Sequence, residues 1–157
     1  MKLYLDSSVL AAYYTPEAHS EPAESMLRAA PAPAVSDLSE LELFSALSAK
    51  VERAELALDD ARRIQAVFLG HLEDGLFTRV AVGRSHYRLA REWAGRGFGA
   101  PTPSGSLHLA IASLEGRTLA SADPSLLAAA GDLGVATVPL ATADDEAPQT
   151  VHEGTSP

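Results

Sequence analysis

Asp6 in LYLDSSVLAAYY, Glu42 in VSDLSELELFSAL and Asp123 in TLASADPSLLAAAG are the side chains with the most chemistry to offer. Asp6 and Asp123 each follow a short apolar run and precede a helical pattern, and Glu42 falls about one turn into the helix after a third run, PAVS. In a parallel sheet, residues just past the strand ends gather at the carboxyl edge, where open α/β folds build their ligand and catalytic sites. Clustered carboxylate oxygens are the preferred donors for hard cations, so the three acids point to a magnesium or manganese site. Each acid also has a purely structural use. Asp is a favoured N-cap, Asp123-Pro124 has the form of a cap followed by proline at the first helical position, and Ser39 to Glu42 has capping-box spacing. Capping alone does not account for acids after three different strands. A helix N-terminus also favours an ionised carboxylate, so capping and ligation are compatible.

An alternation of strands and helices has to position these acids. Residues 2–5 read as a strand, 7–14 and 16–30 as helices, and 33–35 as a second strand. Helices follow at about 38–54, where Leu43, Ala46, Leu47 and Val51 keep the helical apolar spacing, and at about 59–74, closed by Gly75. Residues 76–82 read as a strand, 85–94 as a helix closed by GRGFG, and 106–114 as a helix after Pro101 and Pro103. Residues 118–121 form a strand, a short helix runs from Asp123-Pro124 to near Gly134, and 135–140 is a last strand. This order predicts an α/β domain over residues 1–140, with a mostly parallel central sheet of four to five strands and helices on both faces. Residues 141–157 are acidic, poor in large apolar side chains and expected to be disordered.

Bulk composition narrows the function classes. Apolar residues make up 46 % of the 157, enough for a core, and no stretch approaches the roughly 20 apolar residues of a membrane span. The absence of cysteine excludes thiolate chemistry and disulfide scaffolds and fits a cytoplasmic protein. The net charge of −9 does not advertise nucleic-acid binding, yet Arg79, Arg84, Arg88, Arg91 and Arg96 fall close enough together to form one positive stripe. Their commoner use is as solvated helix-surface residues. A phosphate-accepting receiver domain needs a late lysine, and the only lysines are Lys2 and Lys50. No glycine-rich phosphate loop follows a strand.

LYLDSSVL resembles the opening of the PIN-domain ribonucleases, particularly VapC-type toxins of prokaryotic toxin–antitoxin systems. VSDLSELELFSAL is similar to their second motif through Ser36 and Glu42, and LHLAIASLEGRTLASADPSLL to their C-terminal half through Ser121 and Asp123. The resemblance covers residues 1–140 and rests on the order and spacing of motifs that are individually short. It implies a metal-dependent endoribonuclease that hydrolyses RNA phosphodiesters, with Asp6, Glu42 and Asp123 as catalytic and metal-binding residues and Mg2+ or Mn2+ as cofactor. It places Ser7, Ser8, Ser36 and Ser121 around them, where they would orient ligands or water, although turn and cap chemistry is an equal use for such serines. It also implies a small antitoxin partner and a homodimer.

One position departs from the family pattern. Another acid is expected three residues before the helix histidine, and that position is Gly105. Three readings stay open: the remaining acids hold one cation, the domain binds antitoxin or RNA without cleaving, or the position was altered to make a toxic enzyme tolerable to produce. Restoring an aspartate at 105 is expected to strengthen metal binding. On LHLAIASL, His108 reads as a packed or rim histidine rather than a catalyst.

Overall fold

Leu3 and Leu5 face one way in the first strand and Tyr4 faces the other, and this two-residue alternation divides the molecule into two cores. A computed structural model describes residues 1–16 and 20–140. The sheet consists of β1 (Leu3–Leu5), β2 (Ala34–Ser36), β3 (Thr78–Val80), β4 (Thr118–Ser121) and β5 (Thr137–Pro139). Every pairing is parallel, in the order β3-β2-β1-β4-β5. Tyr4 lies opposite both Ala34 and Leu119, which makes β1 the central strand, buried on both faces.

Helices cover each face. Leu3, Leu5 and Val35 pack with α1 (Ser7–Tyr14), α2 (Ser20–Ala29), α3 (Asp37–Glu52) and α4 (Leu58–Glu73), and Phe68 fills the centre of that layer. Tyr4, Ala34 and Leu119 pack with α5 (Arg84–Ala94), α6 (Pro103–Leu114) and α7 (Pro124–Leu133). Leu109 and Ile111 of α6 are fully buried, as a helix packed directly against the sheet requires. No helix of the described residues is long and apolar enough to cross a membrane.

Local sequence signals explain most element boundaries. Asp6 caps α1, Ser36 caps α3, Thr102 caps α6 with Pro103 at its first position, and Asp123 caps α7 with Pro124 in the same role. Gly134 closes α7 at φ 69, a left-handed conformation that glycine adopts without steric cost. Some expectations need correcting. The strands at 76–82 and 135–140 shorten to three residues each, because only those residues meet a neighbouring strand. Helix α6 begins three residues before the expected Ser106, since Thr102 accepts a hydrogen bond from the Gly105 amide at 3.1 Å. The capping box of α3 joins Ser36 and Ser39 rather than Ser39 and Glu42, which releases the Glu42 side chain for other contacts. Helix α2 is described from Ser20, so its expected start at residue 16 and the tail 141–157 lie outside the described residues.

The chain order reverses between β1 and β4: from β1 it steps outward through β2 to β3, then crosses back to the other side of β1 for β4. Such a switch point opens a crevice at the carboxyl ends of the two strands. Asp6 directly follows β1, and Asp123 lies two residues beyond β4.

Candidate active site

The Asp6 carboxylate is held from both sides. Its Oδ1 accepts hydrogen bonds from the Ser8 amide at 2.9 Å, the Ser8 hydroxyl at 2.5 Å and the Val9 amide at 3.1 Å. Its Oδ2 accepts from the Ser121 hydroxyl at 2.5 Å, across the β1–β4 switch point. Asp6 is buried, so these donors replace the water that a free carboxylate would bind. The same Ser121 oxygen accepts from the Asp123 amide at 2.9 Å, and the Ser8 oxygen accepts from the Ala122 amide at 2.8 Å. Two serine hydroxyls thus tie the end of β1 to the end of β4. Asp123 itself is exposed, and its Oδ1 accepts from the amides of Ser125 at 2.8 Å and Leu126 at 3.3 Å.

Glu42 projects from the second turn of α3 and is partly buried. Its Oε2 accepts from the Ser7 hydroxyl at 2.8 Å and meets His108 Nε2 at 2.8 Å. A carboxylate can only accept, so His108 carries its proton on Nε2. The other ring nitrogen, Nδ1, lies 2.8 Å from the Tyr4 hydroxyl, which also lies 2.7 Å from Ser36 Oγ. The Ser39 hydroxyl donates to the Leu5 carbonyl at 2.9 Å, and its oxygen lies 3.3 Å from that phenol. A buried polar chain therefore runs Ser36–Tyr4–His108–Glu42–Ser7, and no buried side-chain polar atom is left without a partner among the described residues.

This chain sets the protonation states. Burial by itself raises the Glu42 carboxyl, but the hydrogen bond and charge of His108, with the Ser7 and Ser104 hydroxyls, hold it below the usual carboxylate value. Burial pushes the Tyr4 phenol far up, with the charges of Asp6 and Glu42 acting in the same direction, against the lowering effect of Ser36 and Ser39. Tyr4 stays a neutral phenol. The depressed Glu42 value has a pH consequence with a definite sign. Ionised Glu42 contributes its stability in full above the unfolded carboxylate range, and that contribution is lost as pH falls through the folded value. His108→Ala is expected to raise the Glu42 titration and to cost about 1–3 kcal/mol by leaving Tyr4 and Glu42 short of a partner. Side-chain carboxyl NMR across an acid titration measures the first effect and chemical denaturation the second; an unmoved Glu42 titration would mean that His108 is not its cause.

The three predicted acids lie at one rim, yet their side chains are not a ready nest. Among the described residues no group of three or more histidine, aspartate or glutamate side chains is placed to hold a metal ion together. The reasons are local: Asp6 is occupied by Ser8, Val9 and Ser121, Glu42 turns to His108 and Ser7, and Asp123 caps α7. The donor set still suits a hard cation in kind, being carboxylate and hydroxyl oxygen throughout. Of the predicted serines, Ser7, Ser8 and Ser121 touch the carboxylates, whereas Ser36 meets Tyr4 and Ser39.

Sequence reading missed Tyr4, Ser39 and the His108–Glu42 contact. The one available signal was a tyrosine inside an otherwise aliphatic central strand, because a buried phenol needs a polar partner. Gly105 also turns out differently from a bare deletion. A Cβ built there would sit 3.0 Å from Thr102 Oγ1 and 3.2 Å from Leu126 Cδ1. A side chain there would need the Thr102 cap and Leu126 of α7 to give by a few tenths of an ångström.

The family model of the PIN domain matches residues 3–132. The chain belongs to the PIN-domain family. Solved structures with the same fold include Mycobacterium tuberculosis VapC20, described as a sarcin-ricin loop cleaving toxin, at TM-score 0.66 and 17% identity over 82% of this chain and 95% of that one. A toxin–antitoxin complex from Klebsiella pneumoniae aligns at TM-score 0.65 and 15% identity over 90% of this chain and 99% of its own. FitAcB from Neisseria gonorrhoeae aligns at TM-score 0.63 and 19% identity over 88% and 97%. No curated protein matches the chain in sequence. At these identities the structural likeness speaks for the fold, and this PIN domain's activity has to be argued from its own rim.

Proposed function

We propose that this PIN domain is a toxin-type endoribonuclease that hydrolyses RNA phosphodiesters with Mg2+ or Mn2+. The observation that carries this reading is the Asp6–Ser121–Asp123 linkage across the β1–β4 switch point, with Glu42 joined to the same rim through Ser7. Asp6, Glu42 and Asp123 would hold the cation, competing with Ser8, Ser121, Ser7 and His108 for the same oxygens. When bound, such a cation lowers the pKa of water and offsets phosphate charge. The chain's own residues orient and charge the site: Ser8 and Ser121 fix the Asp6 plane, and His108 keeps Glu42 ionised. The toxin–antitoxin complex among the structural relatives supports a small antitoxin as partner, and the family resemblance adds a homodimer acting in the cytoplasm.

A second reading, antitoxin or RNA binding without cleavage, draws its support from Gly105, where the family's further acid is replaced and a side chain would be crowded by Thr102 and Leu126. Incubation of the full chain with single-stranded RNA separates the two. Cleavage is expected with Mg2+ or Mn2+ and none in excess EDTA. Cleavage that persists in EDTA overturns the metal requirement, and retained RNA binding with no cleavage in either condition selects the second reading.

A further inference from the structure

Helix α5 has two opposite faces. His86 and Ala90 are buried, with Leu89 and Trp93 packed beside them against the core. On the other side Arg84, Tyr87, Arg88 and Arg91 follow the i, i+3, i+4, i+7 spacing of one helical stripe and together line one open surface cleft. Tyr87 stands 58% exposed among the three arginines. We propose that this face of α5 is a docking site for single-stranded RNA, with Arg84, Arg88 and Arg91 on its phosphates and Tyr87 stacked on a base.

The pairing pattern of the arginines carries the argument. Arg28, Arg53, Arg62, Arg63 and Arg79 each meet a carboxylate, and Arg117 donates to the Leu3 carbonyl. The arginines with no ion pair or hydrogen bond among the described residues are those of the 84–96 stretch, in a chain whose net charge is −9. Like charges at i and i+4 weaken a helix, and Glu92 on the same helix forms no ion pair with Arg88. The cluster therefore calls for an anion from outside the chain. An exposed aromatic ring beside it favours a polyanion that also presents flat π-faces, as unpaired nucleotides do.

The face is placed to feed the rim. Strand β3 ends at Val80 opposite Ser36, and the Val82 amide donates to Asp37 Oδ2 at 3.3 Å, so α5 begins at the sheet edge from which α3 carries Glu42. Its stripe then runs about 10 Å away from that edge, from Arg84 to Arg91. Helix α5 packs on α6, which carries His108.

This inference rests on the nuclease reading for its substrate class but is tested by binding alone. Fluorescence anisotropy of a labelled single-stranded RNA decamer, with the full chain in EDTA, gives affinity against salt. Wild type is expected to bind with a log–log salt slope near −2, the sum of about three phosphate contacts. Exchanging Arg84, Arg88 and Arg91 for Gln together should flatten that slope and weaken binding at least about tenfold. Tyr87→Ala should cost about tenfold on single strands and little on duplex RNA. An Arg variant with wild-type affinity and slope overturns the proposal, as does a wild type that binds an acidic peptide and ignores RNA. If binding is arginine-dependent but wild type cleaves nothing with Mn2+, the nuclease reading fails while the α5 face stands.

Discussion

If the proposed nuclease reading holds, Asp6→Asn is expected to leave the protein folded and to lower manganese-supported RNA cleavage at least about a hundredfold. Asparagine is as good an N-cap as aspartate, so the bonds from the Ser8 and Val9 amides survive in its Oδ1. What it removes is the charge and the second acceptor oxygen, which the Ser121 hydroxyl now uses at 2.5 Å. Ser121 keeps the Asp123 amide as a partner, so the stability loss stays near about 1 kcal/mol. Asp6→Ala is the wrong probe. It strips every one of those contacts from a buried position and costs about 2–4 kcal/mol, mixing lost chemistry with lost fold. Cleavage across a Mn2+ titration, alongside a thermal melt, reads the two effects separately. Activity above about a tenth of wild type at saturating Mn2+ would remove Asp6 from the reaction.

Gly105→Asp is expected to lower stability by about 1–3 kcal/mol and to gain no manganese affinity. On sequence alone the substitution restores a family carboxylate and ought to strengthen the site. Crowding argues against that gain: a Cβ at 105 would meet Thr102 Oγ1 at 3.0 Å and Leu126 Cδ1 at 3.2 Å, so these neighbours have to give before a carboxylate fits. Leu126 is the flexible neighbour. Thr102 Oγ1 is held by the Gly105 amide that it caps, so the room has to come from the Leu126 side. A carboxylate at 105 therefore needs room made for it. In the Leu126→Ala background, which by itself costs about 2–5 kcal/mol, Gly105→Asp should be less harmful than in wild type and should tighten Mn2+ binding several-fold. Calorimetric Mn2+ titration and thermal melts of the four proteins in this cycle decide it. Tighter binding by Gly105→Asp alone, with an unchanged melting temperature, would show that the crowding at 105 is not limiting.

Both predictions turn on the difference between local and distant information. The elements were legible because their causes are short-range. Apolar spacing set α3, Pro124 after Asp123 set the start of α7, and Gly134 set its end. The cap at Asp6 was legible for the same reason. The α6 start was misread at Ser106 because the decisive cap, Thr102, precedes a proline that looks like a breaker and acts as a first helical residue.

The amino-acid sequence by itself determined that strands and helices alternate, that two acids fall just past strand ends and a third in the helix after another strand, and that position 105 carries no carboxylate. Only the tertiary structure decided where those acids point. Strand order brings β4 beside β1 and so sets Ser121 against Asp6, and α6 packing brings His108 onto Glu42 and Tyr4. Tyr4 and His108 are 104 residues apart, and no local pattern encodes a hydrogen bond at that separation. The closing of Leu126 over Gly105 is likewise a contact between two helices, visible only once both lie on the same face of the sheet.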